Sequence, residues 1–390
     1  MKNDIHLSTF SFYYDVIINM NEHYLIVYSH KSYKYELIEC NSTFYVRDNI
    51  LYINELTPSL LSKVEKMLQK KLIYPLRNVK RTWTLNNINE IDGIQNSRNL
   101  FYKEKPHLFL FEITFILNYI FPNALPEYHY PHHNDPHFEK NVNIDFDYVK
   151  LCTNKYYFPN LNKVSILGDN IFHTPIFYQV LEHCQSLNIE THIYLKYCEY
   201  VKNIDTINKC NINININIYC DDLYDYHLNN HIAYKNFYNK YHKYYYPIQN
   251  ISKYCSTTSL LNRYKFPVQF FPSLKLERSV VGKLLTFEKS KVLNRQFNRN
   301  DLFRNYLTND YFFGKLIVDN SGNIWPSFLH NILGCLQNQR IDDLIHKAFA
   351  DHSAWMLSRS IFHLCKNCAY NIFCPSISPY EIIYNQTFCK

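Results

Sequence analysis

The residue types best suited to chemistry lie close together between Cys365 and Cys389. HLCKNCAYNIFCPSISPYEIIYNQTFCK sets Cys365, Cys368 and Cys374 in a C-x2-C-x5-C block, with Cys389 following. The first two cysteines can turn both sulfurs to one side, the longer spacer can wrap the third around, and the tail can return the fourth. That completes the thiolate set of zinc or of an iron-sulfur cluster. Four soft ligands without a nearby pair of acids argue against magnesium or calcium. The plainer reading is ordinary buried thiols, but four of the twelve cysteines fall in this one stretch. Spacing alone leaves the metal open.

A second group of potential ligands lies in EYHYPHHNDPHFE, where His129, His132, His133 and His137 stand beside Glu127, Asp135 and Glu139. Pro126, Pro131 and Pro136 exclude a helix that would align these histidines, so a solvated loop is the better expectation than a metal site. No G-x-S-x-G, P-loop or dinucleotide fingerprint is found, and the turn at Gly168-Asp169-Asn170 is too short to specify a ligand.

The elements that must position these residues fall into three segments, 1–95, 96–305 and 306–390. In the first, DVIINMNEH, YLIVYSH, KYELIEC and NILYINEL read as short strands. Thr57-Pro58 then starts a helix over Ser59 to Lys71, with Leu60, Leu61, Val64, Met67 and Leu68 on one face. Strands followed by such a helix make a small α+β module, either a packing extension or a recognition domain offering a strand edge to a peptide. NNINEIDGIQNSRN reads as a linker.

From His107 the pattern alternates. HLFLFEITFIL, KVSILGDN, ETHIYLKY and NINININIYC read as strands, with DFDYVKLCTNKYYF and PIFYQVLEHCQSL as helices, which predicts βα units in a parallel sheet or partial barrel. In the third segment, FFGKLIVDNSGNIWPSF forms a hairpin across Asn320-Ser321-Gly322, and Asp342 to Leu357 reads as a helix leading into the cysteines.

Composition bounds the partners. The chain of 390 residues is 47% hydrophobic, enough for sizeable cores. Its net charge of +7 is spread without a long Lys/Arg block, so nucleic acid is not an expected partner. The start, MKNDIHLSTFSFYYDV, lacks the pattern of a secretory signal, and the apolar run His107 to Phe121 carries Glu112 and is too short to span a bilayer. A cytoplasmic protein without a membrane segment is expected, its cysteines reduced. Cys40, Cys152, Cys184, Cys198, Cys210, Cys220, Cys255 and Cys335 are mostly placed like core residues.

The hairpin, the helix and CKNCAYNIFCPSISPYE together resemble the SPASM domain that follows the barrel in radical S-adenosylmethionine peptide maturases. CPSISPYE is most similar to the pseudo-radical-SAM proteins of Bacteroidales Gly-Gly peptide systems. The resemblance is strongest over 290–390. It is weaker, though in order, over 107–290, where KVSILGDNIFHTPIF takes the place of the glycine-rich strand end that contacts S-adenosylmethionine in active relatives. The N-terminal module is loosely similar to the peptide-recognition domains of such systems.

This resemblance implies an α/β fold: a degenerate radical-SAM-like partial (βα) barrel with a small N-terminal α+β module and a C-terminal SPASM or twitch-like cysteine-rich domain. Its departures matter as much. Active enzymes need C-x3-C-x2-C after the first barrel strand, and no cysteine lies between His107 and Lys150. Neither S-adenosylmethionine binding nor radical catalysis is therefore expected, and no catalytic residue is assigned. A second auxiliary cluster would need cysteines before the hairpin, after its glycine and after the third knuckle cysteine. Tyr306 to Phe312 holds none, and Ser327 and Ser378 stand at the other two places.

The resemblance thus implies one iron-sulfur cluster, of 4Fe-4S type, on Cys365, Cys368, Cys374 and Cys389, with zinc as the alternative. The implied role is accessory: maturation of a ribosomally made peptide, with the precursor peptide or a true radical SAM maturase as partner. A redox or electron-transfer protein, or an interaction protein with a structural zinc, is the alternative.

Overall fold

The computed structural model describes residues 9–13, 15–41, 43–47, 50–55, 57–75, 104–118, 143–168, 170–209, 214–220, 224–226, 242–248, 268–272, 276–350 and 353–390. The loop with His129, His132, His133 and His137, the expected linker, Cys210 and Cys255 lie outside these residues.

The chain opens with strands β1 (Thr9–Phe12), β2 (Val16–Met20), β3 (Tyr24–Ser29), β4 (Tyr35–Glu39), β5 (Phe44–Arg47) and β6 (Ile50–Ile53), helix α1 (Pro58–Gln69) and strand β7 (Ile73–Pro75). They form an antiparallel sheet in the order β5-β6-β1-β7 and another in the order β2-β3-β4. Thr57 caps α1 through its side chain, which accepts from the Leu60 N–H, and Pro58 occupies the first turn, where its missing N–H costs nothing. The helix buries Leu60, Val64 and Met67 against Phe10, Leu25, Ile38 and Leu51 of both sheets. Glu36 on β4 is buried between Lys63 of α1 and Lys70, which caps the end of that helix. Burial pushes its carboxyl up, and the two lysines more than offset this, holding it below the usual carboxylate range.

The middle of the chain begins with a 3-10 turn over Pro106–Phe109 and strand β8 (Glu112–Ile116). The strand reading of HLFLFEITFIL therefore holds only for Glu112–Ile116, because the Phe111 and Glu112 N–H groups both turn to the Gly314 carbonyl. Helix α2 (Phe146–Cys152), strand β9 (Lys163–Leu167), helix α3 (Pro175–Ser186), strand β10 (Glu190–Lys196), helices α4 (Tyr197–Lys202) and α5 (Ile204–Lys209), and strands β11 (Ile214–Tyr219), β12 (His242–Ile248) and β13 (Val268–Pro272) follow. Strands β8 to β13 pair in parallel, each with its sequence neighbour. Period-two alternation separates the faces. Ile113, Phe115, Val164, Ile166, Ile193 and Ile218 pack in the core with Val149, Phe177 and Val180 of the helices. The opposite face carries Ile116, Leu167, Tyr194 and Tyr219 in a separate aromatic-rich cluster.

Next come helices α6 (Arg278–Leu285), α7 (Lys289–Val292) and α8 (Arg299–Leu307), and strands β14 (Lys315–Val318) and β15 (Asn323–Trp325), which form the expected hairpin. Gly322 has φ +79°, and a Cβ there would meet the Tyr148 ring at 2.6 Å, so both the turn and the close approach require glycine. Strand β14 also pairs in parallel with β8, so the hairpin and strand β16 (Gly334–Cys335) extend the parallel sheet. Helix α9 (Ile341–Ala348) is shorter than the predicted span to Leu357. Beyond it the Trp355 indole donates to the Lys315 carbonyl, drawing that stretch onto β14 in turns. Helix α10 (Pro379–Tyr384) precedes the last cysteine. Among the described residues, no helix is long and apolar enough to cross a membrane.

Candidate metal centre

The C-x2-C-x5-C segment is wound by turn bonds in its own backbone. The Cys365 N–H donates to the Phe362 carbonyl, Cys368 to Cys365, Asn371 to Cys368 and Cys374 to Tyr370, at 2.8, 2.8, 3.1 and 3.0 Å. Successive turns of this kind bring side chains three or four residues apart to one side. Cys389 arrives from another direction. It forms a parallel bridge with Phe287, whose N–H donates to the Phe388 carbonyl at 3.0 Å and whose carbonyl accepts from the Lys390 N–H at 3.1 Å.

Cys365 and Cys374 are buried, and Cys368 and Cys389 are half-buried. The Cys374 thiol lies within electrostatic reach of the other three. Burial pushes the Cys374 thiol up to about 12; the Arg359 charge opposes this, and Cys368, Cys389 and Cys365 all add to it. The Cys365 thiol is likewise raised by burial, opposed by the charge and hydrogen bond of Arg359, and raised further by Glu381 and Cys389. Among the described residues, no group of three or more His, Cys, Asp or Glu side chains is drawn tightly enough to hold a single metal ion. The donor set is nonetheless of one kind, four thiols with a buried guanidinium beside them, as a thiolate-bound group requires.

The walls of this neighbourhood come from opposite ends of the chain. Asn19 on β2, 4% exposed, donates through Nδ2 to the Ala369 carbonyl at 2.8 Å and to Asn371 Oδ1 at 2.9 Å. Asn21 Nδ2 donates to the Asn367 carbonyl at 2.7 Å. Ile17, Ile26 and Tyr28 share a core with Tyr370, Ile372, Phe373 and Cys374, and the Tyr28 hydroxyl both donates to the Phe297 carbonyl and accepts from its N–H. The outer face of the β2-β3-β4 sheet is thus one side of the cysteine segment. Sequence reasoning missed this wall, because β2 reads as an ordinary strand whose asparagines signal nothing.

Two serines stand where the resemblance places cysteines in two-cluster relatives, and both have other work. Ser378 caps α10 in a reciprocal capping box with Glu381. Ser327 is buried and accepts from the Leu329 N–H at 3.0 Å.

A second polar region lies on the sheet face away from the helices. Glu112 is buried beside Lys163 at 2.9 Å and accepts from the Ser165 hydroxyl at 2.9 Å. Burial works to raise its carboxyl, and Lys163 and Lys315 outweigh it, leaving Glu112 ionised. Glu112, Lys163 and Lys315, with Thr114, Tyr194 and Ser327, line a cavity of about 70 Å³, room for only a few water molecules.

No protein-family model matches the chain, and no curated protein matches it. Solved structures to which it is similar include SuiB of Streptococcus suis bound to the precursor peptide SuiA, at 14% identity and a TM-score of 0.43, covering 97% of this chain and 98% of that one. SuiB bound to S-adenosylmethionine is similar at 13% identity and a TM-score of 0.41, covering 97% of both chains. BtrN in complex with AdoMet and 2-DOIA is similar at 14% identity and a TM-score of 0.30, covering 61% of this chain and 82% of that one. At these identities and scores the likeness carries no inference about what this chain does. The chain is of mixed α/β type with a large, mainly parallel sheet, and Cys374 and Cys368 pack with Ile17, Ile26 and Tyr28 of the N-terminal strands.

Proposed function

We propose that this chain is a non-catalytic, accessory protein in the maturation of a ribosomally made peptide. It binds the precursor peptide or a partner radical SAM maturase, and it carries one iron-sulfur cluster on Cys365, Cys368, Cys374 and Cys389. The observation that carries this reading is the position of the cysteine segment, walled by β2 and β3 and hydrogen-bonded to Asn19 and Asn21. A group held there ties the N-terminal module to the C-terminal segment and steadies a binding scaffold. The motif resemblance and the lack of cysteine between His107 and Lys150 point the same way.

The motif resemblance favours a cluster over zinc on Cys365, Cys368, Cys374 and Cys389. When bound, a cluster supplies a cross-link and a one-electron acceptor. Residues 1–95 are then the recognition module, 96–305 the degenerate barrel and 306–390 the SPASM-like unit.

The test is a titration of the full-length, cluster-loaded protein with the leader part of a precursor peptide encoded beside it, and with the neighbouring maturase. Saturable binding to either supports the reading, and binding to neither refutes it. The partial exposure of Cys368 and Cys389 favours electron transfer as the second reading. Rapid reduction by a protein electron donor, without peptide binding, would select it.

A further inference from the structure

The thiol set has a charged companion that a simple structural knuckle does not need. Arg359 is 2% exposed. Its Nη1 donates to Cys365 Sγ at 3.3 Å, its Nη2 donates to both Glu381 oxygens at 3.0 and 2.9 Å, and its Nε donates to the carbonyl of Pro375, which follows Cys374. The guanidinium also lies over the Phe287 ring, 5.6 Å from its centre. Glu381 accepts from the Ser378 N–H at 3.0 Å and from the N–H of Phe388, which precedes Cys389, at 3.3 Å. One buried ion pair therefore reaches Cys365 directly and the chain beside Cys374 and Cys389.

Removing two opposite charges from water is costly, and a well-packed apolar pair of similar volume often stabilises a fold as well. Fold stability alone does not account for the pair. Glu381 would be satisfied by Nη2 and the α10 cap without any arm on sulfur. The remaining arm is directed at Cys365 Sγ, which makes the guanidinium a fixed donor to one of the four candidate ligands. The rigid fork of arginine lets one side chain be aimed by the carboxylate and still present an N–H to sulfur.

We infer that Arg359, aimed by Glu381, is a positioning residue of the metal centre that orients Cys365 through its Nη1–H···Sγ bond and raises the reduction potential of the bound cluster. This rests on the cluster reading proposed above. Reduction adds one electron, supplied in the assay by dithionite, and makes or breaks no bond to the protein. A fixed positive charge and an N–H···S bond favour the form with the extra negative charge.

The experiment compares wild type, Arg359→Lys and the apolar pair Arg359→Met/Glu381→Gln after anaerobic reconstitution with iron and sulfide. Iron content, the reduction potential and the rate of metal release to a chelator are measured. The double variant is expected to have a more negative potential than wild type, with Arg359→Lys in between. Metal release from Arg359→Lys is expected to be about ten-fold or more faster than from wild type. An unchanged potential in a loaded double variant overturns the inference. If the double variant does not load, the release rate of Arg359→Lys decides, and a rate equal to wild type overturns it. Wild type that takes up zinc and no iron defeats the cluster reading instead, and zinc release from Arg359→Lys then judges the arginine by the same ten-fold criterion.

Discussion

Replacing Asn19 with alanine removes the two buried hydrogen bonds that fasten the cysteine segment to β2. The Ala369 carbonyl and Asn371 Oδ1 lose donors at 2.8 and 2.9 Å, in a place where Asn19 and Asn371 are only 4% and 7% exposed. A buried acceptor left without a partner costs about 1–3 kcal/mol, so the two together predict a loss of roughly 2–4 kcal/mol. Asn21→Ala is the control: its bond to the Asn367 carbonyl is exposed, water can replace it, and the loss should stay below about 1 kcal/mol. The assay is urea denaturation of the full-length chain followed by tryptophan fluorescence, with a double-mutant cycle between Asn19→Ala and Asn371→Ala. A coupling energy of about 0.5–3 kcal/mol is expected for side chains in direct contact. Asn19→Ala should also release bound metal faster to a chelator, since the loop between Cys368 and Cys374 loses an anchor. A stability within about 0.5 kcal/mol of wild type, together with unaltered metal release, would refute the claim that the N-terminal module is a wall of the metal centre.

Cys368→Ser should lose the bound group and loosen the C-terminal segment, because metal binding in a turn-rich unit is largely its folding energy; full metal content in this variant, by elemental analysis, counts against the site. Incubation with S-adenosylmethionine and reductant should yield no 5'-deoxyadenosine above a protein-free control, since residues 107–150 offer no thiolates. Burial beside Phe312 holds the His330 imidazole down at about 4, below its ordinary 6.5. The unfolded chain therefore takes up a proton that the folded chain refuses between about pH 6.5 and pH 4, and stability falls as pH falls through that window. The loss should be on the order of 2 kcal/mol after allowance for the ring's partial exposure. His330→Gln should flatten the pH dependence of the urea midpoint over this range, and an identical slope in the variant would remove His330 as its source.

Local signals were readable in the sequence, and long-range ones were not. The short β-branched and aromatic runs in YLIVYSH and ETHIYLK mark β3 and β10, Thr57-Pro58 marks the start of α1, and Asn320-Ser321-Gly322 marks the hairpin turn, because each depends on residues within one or two turns of chain. The pairing of β14 with β8 depends on which strands the fold brings side by side, and neither strand carries a trace of it. Within the candidate centre, the spacing of Cys365, Cys368 and Cys374 was conspicuous, yet the second layer was not. Arg359 and Glu381 are ordinary charged residues separated by 22 positions, and Asn19 lies 350 positions from the carbonyl it holds. The predicted helix to Leu357 failed for the same reason: the Trp355 indole finds its acceptor on β14 and draws its own stretch out of the helix.

Anaerobic reconstitution of the full-length protein with iron and sulfide in competition with zinc, followed by elemental and sulfide analysis, tests the central claim most directly. The account predicts about four iron and four sulfide per chain, lost together in Cys368→Ser and Cys374→Ser. One zinc per chain with no iron, or iron that survives both substitutions, would contradict it.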